Sequence, residues 1–359
     1  MNAKKQTVQI AVAGAVIGII AALLVLFGNP KNMGFCIACF IRDTAGGLKF
    51  HTAAVVQYIR PEIIGLILGS TLMAVAKKEF SARGGSAPMI RFILGVLAMV
   101  GCLMFLGCPF RMVLRLAGGD LNAVFGLIGF AAGILCGIFF LNKGYSLKRT
   151  HPEPALDGAA LPIVQMILIV LVVAAPALFA FSESGPGSMH AAVPLSLCAG
   201  LIVGALAQRT RMCMVGGIRD AVLFKDFKLL AGFAAIFVLA LVTNLILTAA
   251  ASASYFKLGM AEQPVAHTDG LWNALGMLLA GFCCTLLGGC PLRQLVLTGE
   301  GNTDSAVTIL GLLVGAAICH NFGLASSAAG ATPAGKVAVI CGIVVALIIA
   351  SANTFGKKN

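Results

Sequence analysis

The sequence predicts an all-α integral membrane protein of about nine or ten transmembrane helices, and three observations lead to this prediction. Hydrophobic residues make up 59% of the 359 residues and charged residues only 11%, whereas soluble domains carry about 25% charged residues. The apolar residues are gathered into runs long enough to cross a bilayer. Two cysteine motifs occur twice, in the same order, which indicates an internal repeat. A water-soluble fold is excluded because the polar residues are too few to cover its surface.

Ten apolar segments are candidates for membrane crossings, which need roughly 20 residues each. The four that begin at residues 62, 92, 193 and 306 are shorter than the usual minimum of about 17 residues. Short segments in two halves are typical of transporters whose helices are broken or re-entrant. In chain order the segments cover 8–27, 62–76, 92–106, 123–141, 161–181, 193–207, 229–251, 271–287, 306–319 and 335–352.

One polar stretch divides the chain, and the predicted organisation follows from it. Residues 142–158 carry Lys143, Lys148, Arg149 and two prolines, and we interpret them as a cytoplasmic linker. The other parts are a first repeat, a connecting transmembrane helix, a second repeat and an extra C-terminal transmembrane helix, with bounds 1–141, 159–181, 182–334 and 335–359.

Two motifs carry the repeat. The first is a cysteine followed, after four residues, by Ile-Arg-Asp; the second is Gly-Cys-Pro-x-Arg, with a further cysteine six residues before the motif cysteine. The two copies are offset by 177 residues for the first motif and by 182 for the second. The candidate site residues are Cys36, Arg42, Asp43, Gly107, Cys108, Pro109 and Arg111 in the first copy, and Cys213, Arg219, Asp220, Gly289, Cys290, Pro291 and Arg293 in the second.

The number of crossings predicts the relation between the copies. Each copy holds four crossings and a fifth lies between them, so the second copy begins on the opposite side of the membrane. This is an inverted repeat, whose substrate site is expected near the midplane.

The Gly-Cys-Pro-x-Arg motif predicts a helix that begins inside the membrane. Proline is favoured at the first position of a helix, and the residue before it is pushed into an extended conformation. Cys108 and Cys290 are therefore expected to cap short helices whose N termini suit an anion. In an inverted repeat the two caps can face one another across a central path. The alternative is a proline kink with a packing cysteine.

The charged motif residues allow two interpretations each. Arg42 with Asp43, and Arg219 with Asp220, can form functional pairs at membrane depth or ordinary interfacial ion pairs. The side chains of Arg111, Arg115 and Arg293 can supply positive potential at the entrances of the substrate path. They can also serve as snorkelling anchors, whose charged ends reach the membrane surface. Four other cysteines are interpreted as core packing residues: Cys136, Cys198, Cys319 and Cys341.

The net charge of +12 indicates membrane orientation and not nucleic-acid binding, because the basic residues lie between apolar runs. With the N terminus placed inside, 17 of the 25 Lys and Arg residues fall inside and 8 outside. The bias predicts a multi-pass protein of the cell (inner) membrane with both termini in the cytoplasm.

The paired motifs, GCPFR with RLAGGD and GGCPLR with LTGEGNTDS, resemble those of the YeeE/YedE family of sulfur-transport membrane proteins over roughly residues 8–320. The resemblance implies an hourglass-like fold with inward-folded short helices and a line of cysteines along the substrate path. It implies pathway roles for Cys108, Cys290, Cys213 and Cys36. The chain looks like the YedE branch, which is linked to selenium metabolism. Thiosulfate or a related sulfur or selenium oxyanion is thus the expected substrate, and a small TusA-like sulfur-carrier protein is an implied cytoplasmic partner.

The predicted function is import of such an anion, without a cofactor, a metal site or an enzymatic reaction. A thiol is a weak donor and a weak acceptor, so neutral thiols with helix dipoles would hold a dianion loosely enough to release it. One alternative is a membrane thiol oxidoreductase or sulfur transferase that uses Cys36 with Cys39 or Cys108 with Cys290. Another is a Cu(I) or other soft-metal transporter. The five histidines show no metal-ligand spacing, and no phosphate-binding loop is present, which excludes a nucleotide-driven pump.

Overall fold

The computed structural model describes residues 3–250 and 254–356, and this part of the chain is almost entirely helical. Two short strands, β1 (Arg83–Gly84) and β2 (His151–Pro152), form an antiparallel pair. In chain order the helices are α1 (Ala3–Leu26), α2 (Ile37–Gly47), α3 (Pro61–Ala76), α4 (Pro88–Phe105), α5 (Pro109–Ala117), α6 (Asn122–Asn142), α7 (Ala155–Ala174), α8 (Val193–Thr210), α9 (Met214–Phe224), α10 (Lys228–Ala250), α11 (Gly270–Leu286), α12 (Pro291–Gly299), α13 (Thr303–Asn321) and α14 (Pro333–Phe355).

The predicted all-α membrane fold is confirmed. Nine apolar helical stretches of the described residues are long enough to span a bilayer, and α3 is a shorter apolar helix of 16 residues. The expectation that the segments beginning at 92, 193 and 306 are short is wrong, because α4, α8 and α13 have 18, 18 and 19 residues. Charged and polar residues at their ends, such as Arg91 and Arg209, belong to the helices although hydropathy alone leaves them out.

The helices fall into an inner and an outer group. α4 and α11 are the most buried of the long helices, whereas α7 and α14 present most of their surface to lipid. An apolar surface is stable there because the bilayer core is itself apolar. The centre of the molecule is therefore the α4–α11 pair, and both of these helices lead into a Gly-Cys-Pro motif.

The repeat is visible in the order and packing of the helices. α1 to α6 correspond to α8 to α13, with the short helices α2, α5, α9 and α12 at matching places. Packing partners are exchanged between the copies. α1 packs on α10 as α8 packs on α3, and α4 packs on α13 as α11 packs on α6. Glycines allow these close approaches: Gly14 and Gly18 of α1 lie directly against the α10 backbone.

The equivalent helices α4 and α11 run in opposite directions. Gly126 at the start of α6 packs on Phe105, the last residue of α4, and Gly270 at the start of α11 packs on Phe125. The end of α4 and the start of α11 therefore lie at the same face of the molecule. A pair of equivalent helices that cross antiparallel is what an inverted repeat requires.

The two faces of the molecule are distinguished by their loops. Loop 77–87 and the linker 143–154 lie together on what we term the linker face, where Ser86 Oγ donates to Leu147 O at 2.6 Å and Thr303 Oγ1 donates to Glu153 Oε2 at 2.6 Å. Segments 48–60, 182–192, 254–269 and 322–332 form the far face. The linker is thus packed on the helical body and is not a loose tether.

The start of the first helix and the end of the last helix lie at the same face. Gln6 of α1 lines a cavity with Glu79 and Arg209 of the linker face. Gly335 at the start of α14 packs on Met104, which belongs to the far face, so Phe355 lies at the linker face. Residues 1–2 and 357–359, on which the prediction of two cytoplasmic termini also depends, lie outside the described residues.

Candidate functional site

The short helices α2 and α9 begin inside the membrane because the chain folds back before each of them. Gly34 packs so closely on Ala21 that any side chain at position 34 would collide with the α1 backbone. Ala21 lies five residues before the end of α1, which corresponds to a depth of about 7.5 Å at 1.5 Å per residue. In the second copy Met212 reaches Gly232, four residues inside α10. Cys36 and Cys213 follow these two contacts directly.

A thiol sulfur caps each of these helices. Cys36 Sγ accepts the backbone N–H of Cys39 at 3.4 Å, and Cys213 Sγ accepts that of Gly216 at 3.3 Å. Oxygen-bearing residues such as Ser, Thr, Asp and Asn are the usual N-caps, so a cysteine at both places is unusual. The cap uses only the backbone N–H of the third position, which explains why Cys39 and Gly216 can stand at matching places.

The second motif caps α5 and α12, as predicted. Cys108 and Cys290 are their N-cap residues, with extended backbone and proline at the first helical position. Neither side chain makes a capping hydrogen bond of the kind seen at Cys36 and Cys213. The Cys36 thiol lies close to that of Cys108, and the Cys213 thiol lies close to that of Cys290.

The expectation that the two Gly-Cys-Pro caps face one another is therefore corrected. Each cap thiol contacts the other helix break of its own copy, because both breaks of one copy enter from the same face. We term Cys36, Cys39 and Cys108 the far-face thiols, and Cys213 and Cys290 the linker-face thiols. The linker-face pair has one further contact, in which the backbone N–H of Met214 donates to Cys290 Sγ at 3.4 Å.

Two cysteines that the sequence analysis used only as repeat markers lie between these groups. Cys102 is within electrostatic range of Cys36 and Cys39 on one side and of Cys284 on the other. Cys284 in turn lies within range of Cys213. Both are fully buried on the central helices α4 and α11. Their equivalent positions, six residues before Cys108 and Cys290, were a signal that could have identified them.

The thiols are enclosed by protein. Cys36, Cys108 and Cys290 are at most 1% exposed and Cys213 is 5% exposed, and all twelve cysteines are free. Cys136, Cys198, Cys319 and Cys341 were expected to be core residues. This expectation is wrong for Cys198 and Cys341, which are exposed on the outside of the helical bundle, and Cys136 is partly exposed. Their helices are apolar around the whole circumference, so hydropathy could not show which side faces lipid.

Arg111 is a buried cation whose described partners are all neutral. Its guanidinium donates to the carbonyl oxygens of Asn32, Leu106, Pro264 and Val265, and Nη1 lies 3.8 Å from Cys39 Sγ. No carboxylate is among these acceptors, so the far-face thiols lie in an uncompensated positive potential. The snorkelling interpretation is wrong for this residue, because its side chain is fully buried.

The other buried arginines of the far half have carboxylate partners. Arg115 is fully buried and pairs with Asp120 at 2.6 Å. Asp43 accepts from Arg42 and from Arg60, each at 2.7 Å, and all three side chains are almost completely buried. These groups hold the ends of α2, α3 and α5 in place through charge-assisted hydrogen bonds.

In the second copy the motif arginines have acidic partners. Arg293 bonds Glu300 at 3.1 Å, and Glu300 also lies 3.4 Å from Arg211, two residues before Cys213. The network continues to Glu79, whose pKa is lowered by the Gln208 hydrogen bond and then by Arg211. We term Arg211, Arg293 and Glu300 the linker-face latch, because they join the break before α9 to α12. Arg219 pairs with Asp220 at 2.8 Å on the partly exposed side of α9.

Gly107 and Gly289 have a steric role that the sequence did not reveal. A Cβ on Gly107 would lie 2.9 Å from Arg111 Cδ, and one on Gly289 would lie 2.9 Å from Arg293 Cγ. The arginine side chain thus folds back over the N terminus of its own short helix, and only glycine leaves room for it.

A cavity of about 460 Å³ opens on the far face above the far-face thiols. Its lining includes Arg42, Leu106, Val265, Cys319 and His320. The carbonyl of Leu106 also accepts from Arg111 and, at 3.7 Å, from the Cys39 thiol. A single residue, Leu106, therefore lies between this cavity and the far-face thiols.

In the part of the chain that the structure describes, no group of three or more His, Cys, Asp or Glu side chains is arranged to hold a metal ion. His51 and His320 are stacked with ring centroids 4.7 Å apart, at the edge of the far-face cavity.

A family model described as Sulphur transport matches residues 209–352, about two fifths of the chain. The matched part runs from the end of α8 into α14 and contains both linker-face thiols and the linker-face latch. No curated protein matches the chain. The match supports a multi-pass membrane protein that transports a sulfur compound.

Proposed function

We propose that the protein imports a small sulfur-containing anion, thiosulfate or a related sulfur or selenium oxyanion, along a path of neutral thiols. The observation that carries this proposal is the pair of matched thiol groups at helix breaks in opposite halves of the membrane, with Cys102 and Cys284 between them. A packing role for the cysteines does not account for two copies in which sulfur caps a helix and meets a second sulfur.

The far-face cavity is the proposed access route. An anion there is attracted by Arg42 at the cavity wall and by the uncompensated charge of Arg111 behind Leu106. Because the Arg111 donors already have acceptors, this arginine supplies potential without binding the anion directly. Attraction without tight binding is what a conducting site needs.

Within the path, S–H donors and helix N termini take the place of water. Hydrogen bonds to a charged group contribute about 1.5–3 kcal/mol each, so one lost contact must be replaced by another as the anion advances. Passage from Cys36 and Cys108 to Cys102, then Cys284, then Cys213 and Cys290 provides such replacement. The four short helices, of nine or eleven residues, add their positive dipole ends at both depths.

The direction of import rests on the charge bias of the loops. The linker face carries most of the Lys and Arg residues that predict a cytoplasmic location in the inner membrane. The far-face cavity would then open to the outside. A TusA-like carrier, the partner that the family resemblance implies, would receive the sulfur at the linker face.

A thiol oxidoreductase or sulfur transferase is the second candidate, and one observation favours it. Cys36 and Cys39 stand at the N-cap and third position of α2, where a helix N terminus stabilises a thiolate. The second copy has Gly216 at the matching place, which weighs against a redox pair shared by both halves. A mobility shift after thiol alkylation, compared with and without reductant, separates the two, since a carrier needs no disulfide cycle.

Uptake into proteoliposomes of the purified protein tests the proposal. Labelled thiosulfate, selenite and sulfite would be compared with sulfate, which has the charge and shape of thiosulfate but lacks its soft terminal sulfur. We expect thiosulfate or one of the selenium and sulfur analogues to enter faster than sulfate. Uptake no faster than in protein-free liposomes for every anion, or entry of thiosulfate, selenite and sulfite no faster than that of sulfate, would contradict the proposal.

A further inference from the structure

On the basis of the proposed function, import of an anion requires negative charge to cross the membrane. A dianion that enters an inside-negative cell moves against the membrane potential with both of its charges. The potential alone would hold its internal concentration far below the external one. A cation that travels with the anion reduces the net charge moved against the potential, and such a cation needs an acidic site within the membrane.

The buried acidic residues identify one candidate. Five acidic side chains are buried in the described part of the chain, and four of them have an arginine partner: Asp43 with Arg42 and Arg60, Asp120 with Arg115, Asp304 with Arg91, and Glu300 with Arg211 and Arg293. The fifth is Glu62, at the first turn of α3, which is 0% exposed and forms none of the described ion pairs.

The hydrogen bonds of Glu62 leave one oxygen free. Oε1 accepts from Asn29 Nδ2 at 2.9 Å and from Ser196 Oγ at 3.0 Å, whereas Oε2 is buried without a partner. The Tyr58 hydroxyl, on the segment that leads into α3, is also buried without a partner. Orphaned buried oxygens are rare in native proteins and each calls for an explanation.

Few charged groups lie near Glu62 on the elements that pack against it. Arg60 is fully engaged with Asp43 and with carbonyl oxygens of the segment before α8. His190 of that segment stacks on the Tyr58 ring at 4.1 Å and is exposed at the far face. The ends of α1 and α8 contribute only the neutral Asn29 and Ser196.

Glu62 is connected to the thiol path through Asn29. The Asn29 amide donates to Gly34 O at 3.1 Å as well as to Glu62, and its Oδ1 accepts from the backbone N–H of Ala191 at 2.9 Å. Gly34 lies two residues before Cys36 in the break that positions the far-face thiols. A change of charge on Glu62 thus alters the strength of bonds that hold this break and the α1–α8 contact.

We propose that Glu62 is the coupling site of the transporter and that it binds one proton from the far face for each anion carried. A proton fits better than a sodium ion, because hard metal cations need several oxygen ligands, whereas Glu62 Oε2 and the Tyr58 hydroxyl are the orphaned oxygens of this segment. Protonation adds H⁺ to the carboxylate and changes no other bond. The neutral carboxyl accepts more weakly from Asn29 and Ser196, which releases the far-face break.

The test uses purified protein in liposomes whose membrane potential is clamped at zero with potassium and valinomycin. Labelled thiosulfate is the probe, and the outside is made one pH unit more acidic than the inside. If one proton accompanies each anion, the wild type should accumulate thiosulfate about tenfold, since a tenfold ratio of concentrations balances a tenfold ratio of protons. Glu62→Gln keeps the shape and the Asn29 contact but cannot titrate. It should exchange labelled for unlabelled thiosulfate and show no accumulation.

Controls separate this proposal from a structural role and from the proposed function. Glu262→Gln removes an exposed acid of the far face that pairs only with Lys257 among the described residues, and it should accumulate thiosulfate as the wild type does. Should Glu62→Gln fail to insert, Glu62→Asp, which retains a titratable group, must still accumulate. Tenfold accumulation by Glu62→Gln, none by the wild type, or dependence on sodium would overturn the proposal. Absence of any thiosulfate exchange by the wild type would instead contradict the proposed function.

Discussion

At the scale of single residues, the Gly-Cys-Pro-x-Arg motif is one structural unit in which each position has its own task. Proline fixes the first helical turn and pushes the cysteine into the extended conformation of a cap. The cap leaves the thiol free for a partner outside its helix. Arginine folds back over the helix N terminus, and glycine leaves the space it occupies. Together these tasks place a thiol and an arginine side chain at one helix end.

The two arginines of this motif differ in charge compensation, and this difference leads to the first prediction. Arg111 has neutral acceptors, whereas Arg293 pairs with Glu300. If Arg111 acts through its charge, initial uptake should fall in the order wild type, Arg111→Lys, Arg111→Met. We expect at least a tenfold loss for Arg111→Met, because the attraction of a buried charge for a dianion disappears.

Initial rates of labelled thiosulfate uptake at equal membrane levels measure this order. Lysine cannot replace the five donors of a guanidinium, so some loss is expected even when the charge is kept. Equal rates for the lysine and methionine variants would show that Arg111 acts only through its hydrogen bonds and not through its charge.

The sequence predicted the residues of the motif better than their contacts. Proline and glycine are local signals, so the cap positions of Cys108 and Cys290 followed from neighbouring residues alone. The pairing of Cys36 with Cys108 joins residues 72 positions apart. This contact depends on the depth in the membrane at which the two short helices begin, and no local sequence pattern specifies that depth.

At the scale of elements, the linker-face latch fixes the position of α9 relative to α12. Glu300 is 2% exposed and accepts from both Arg211 and Arg293, so its removal leaves Arg293, which is 12% exposed, without its acid. Breaking a buried pair costs about 3–5 kcal/mol, whereas an exposed pair contributes about 0–1 kcal/mol. The latch therefore lies beside the linker-face thiols, which are buried in the described structure.

The second prediction tests the latch. Glu300→Gln should speed the labelling of Cys213 by an impermeant maleimide at the linker face of inside-out vesicles at least tenfold. Glu79→Gln is the matched control, because Glu79 pairs with Arg211 at the partly exposed edge of the network, and it should change the rate less than about twofold. Replacement of the exposed Cys198 and Cys341 by Ser keeps them from obscuring the signal. Similar rates in the Glu300 and Glu79 variants would mean that the latch is not what closes this side.

Element positions were predicted closely from the sequence, and element lengths were not. All ten apolar segments overlap helices, since runs of apolar residues are a strong signal. The bounds predicted for the connecting helix, 159–181, are wrong, because α7 begins at Ala155 and ends at Ala174. The lengths of α4, α8 and α13 were underestimated because polar residues at their ends are tolerated where other loops cover them. Arg91, for example, lies 3.6 Å from Asp304 and is part of α4.

At the scale of the whole molecule, the two copies share a backbone plan and differ in charge. The far half holds the uncompensated Arg111 and the unpaired Glu62, whereas the linker half neutralises its motif arginine with Glu300. A symmetrical fold with asymmetrical charges can favour one direction of transport. The sequence predicted the inverted relation from the number of crossings, but the exchange of packing partners between copies arises only in three dimensions.

The third prediction concerns orientation. The start of α1 and the end of α14 lie at the linker face, and the bias of Lys and Arg residues predicts that this face is cytoplasmic. A reporter that is active only outside the cytoplasm should therefore show background activity when fused after residue 359, and strong activity when inserted at the far-face loop near residue 185. Strong activity of the first fusion would reverse the assigned direction.

Transport along neutral thiols is the central claim, and the most direct measurement is thiosulfate uptake by cysteine variants at equal membrane levels. Loss of one donor to a charged partner costs about 1.5–3 kcal/mol, which corresponds to roughly tenfold to a hundredfold in rate if it falls on the barrier. We predict the order wild type, Ser, Ala for replacement at Cys108 or at Cys290, with the alanine variants near background. The matched control, Cys136→Ala with Cys341→Ala, alters cysteines at the outside of the bundle and should transport normally. Near-normal uptake by the Cys108→Ala, Cys290→Ala double variant would contradict the account and leave these cysteines as packing residues.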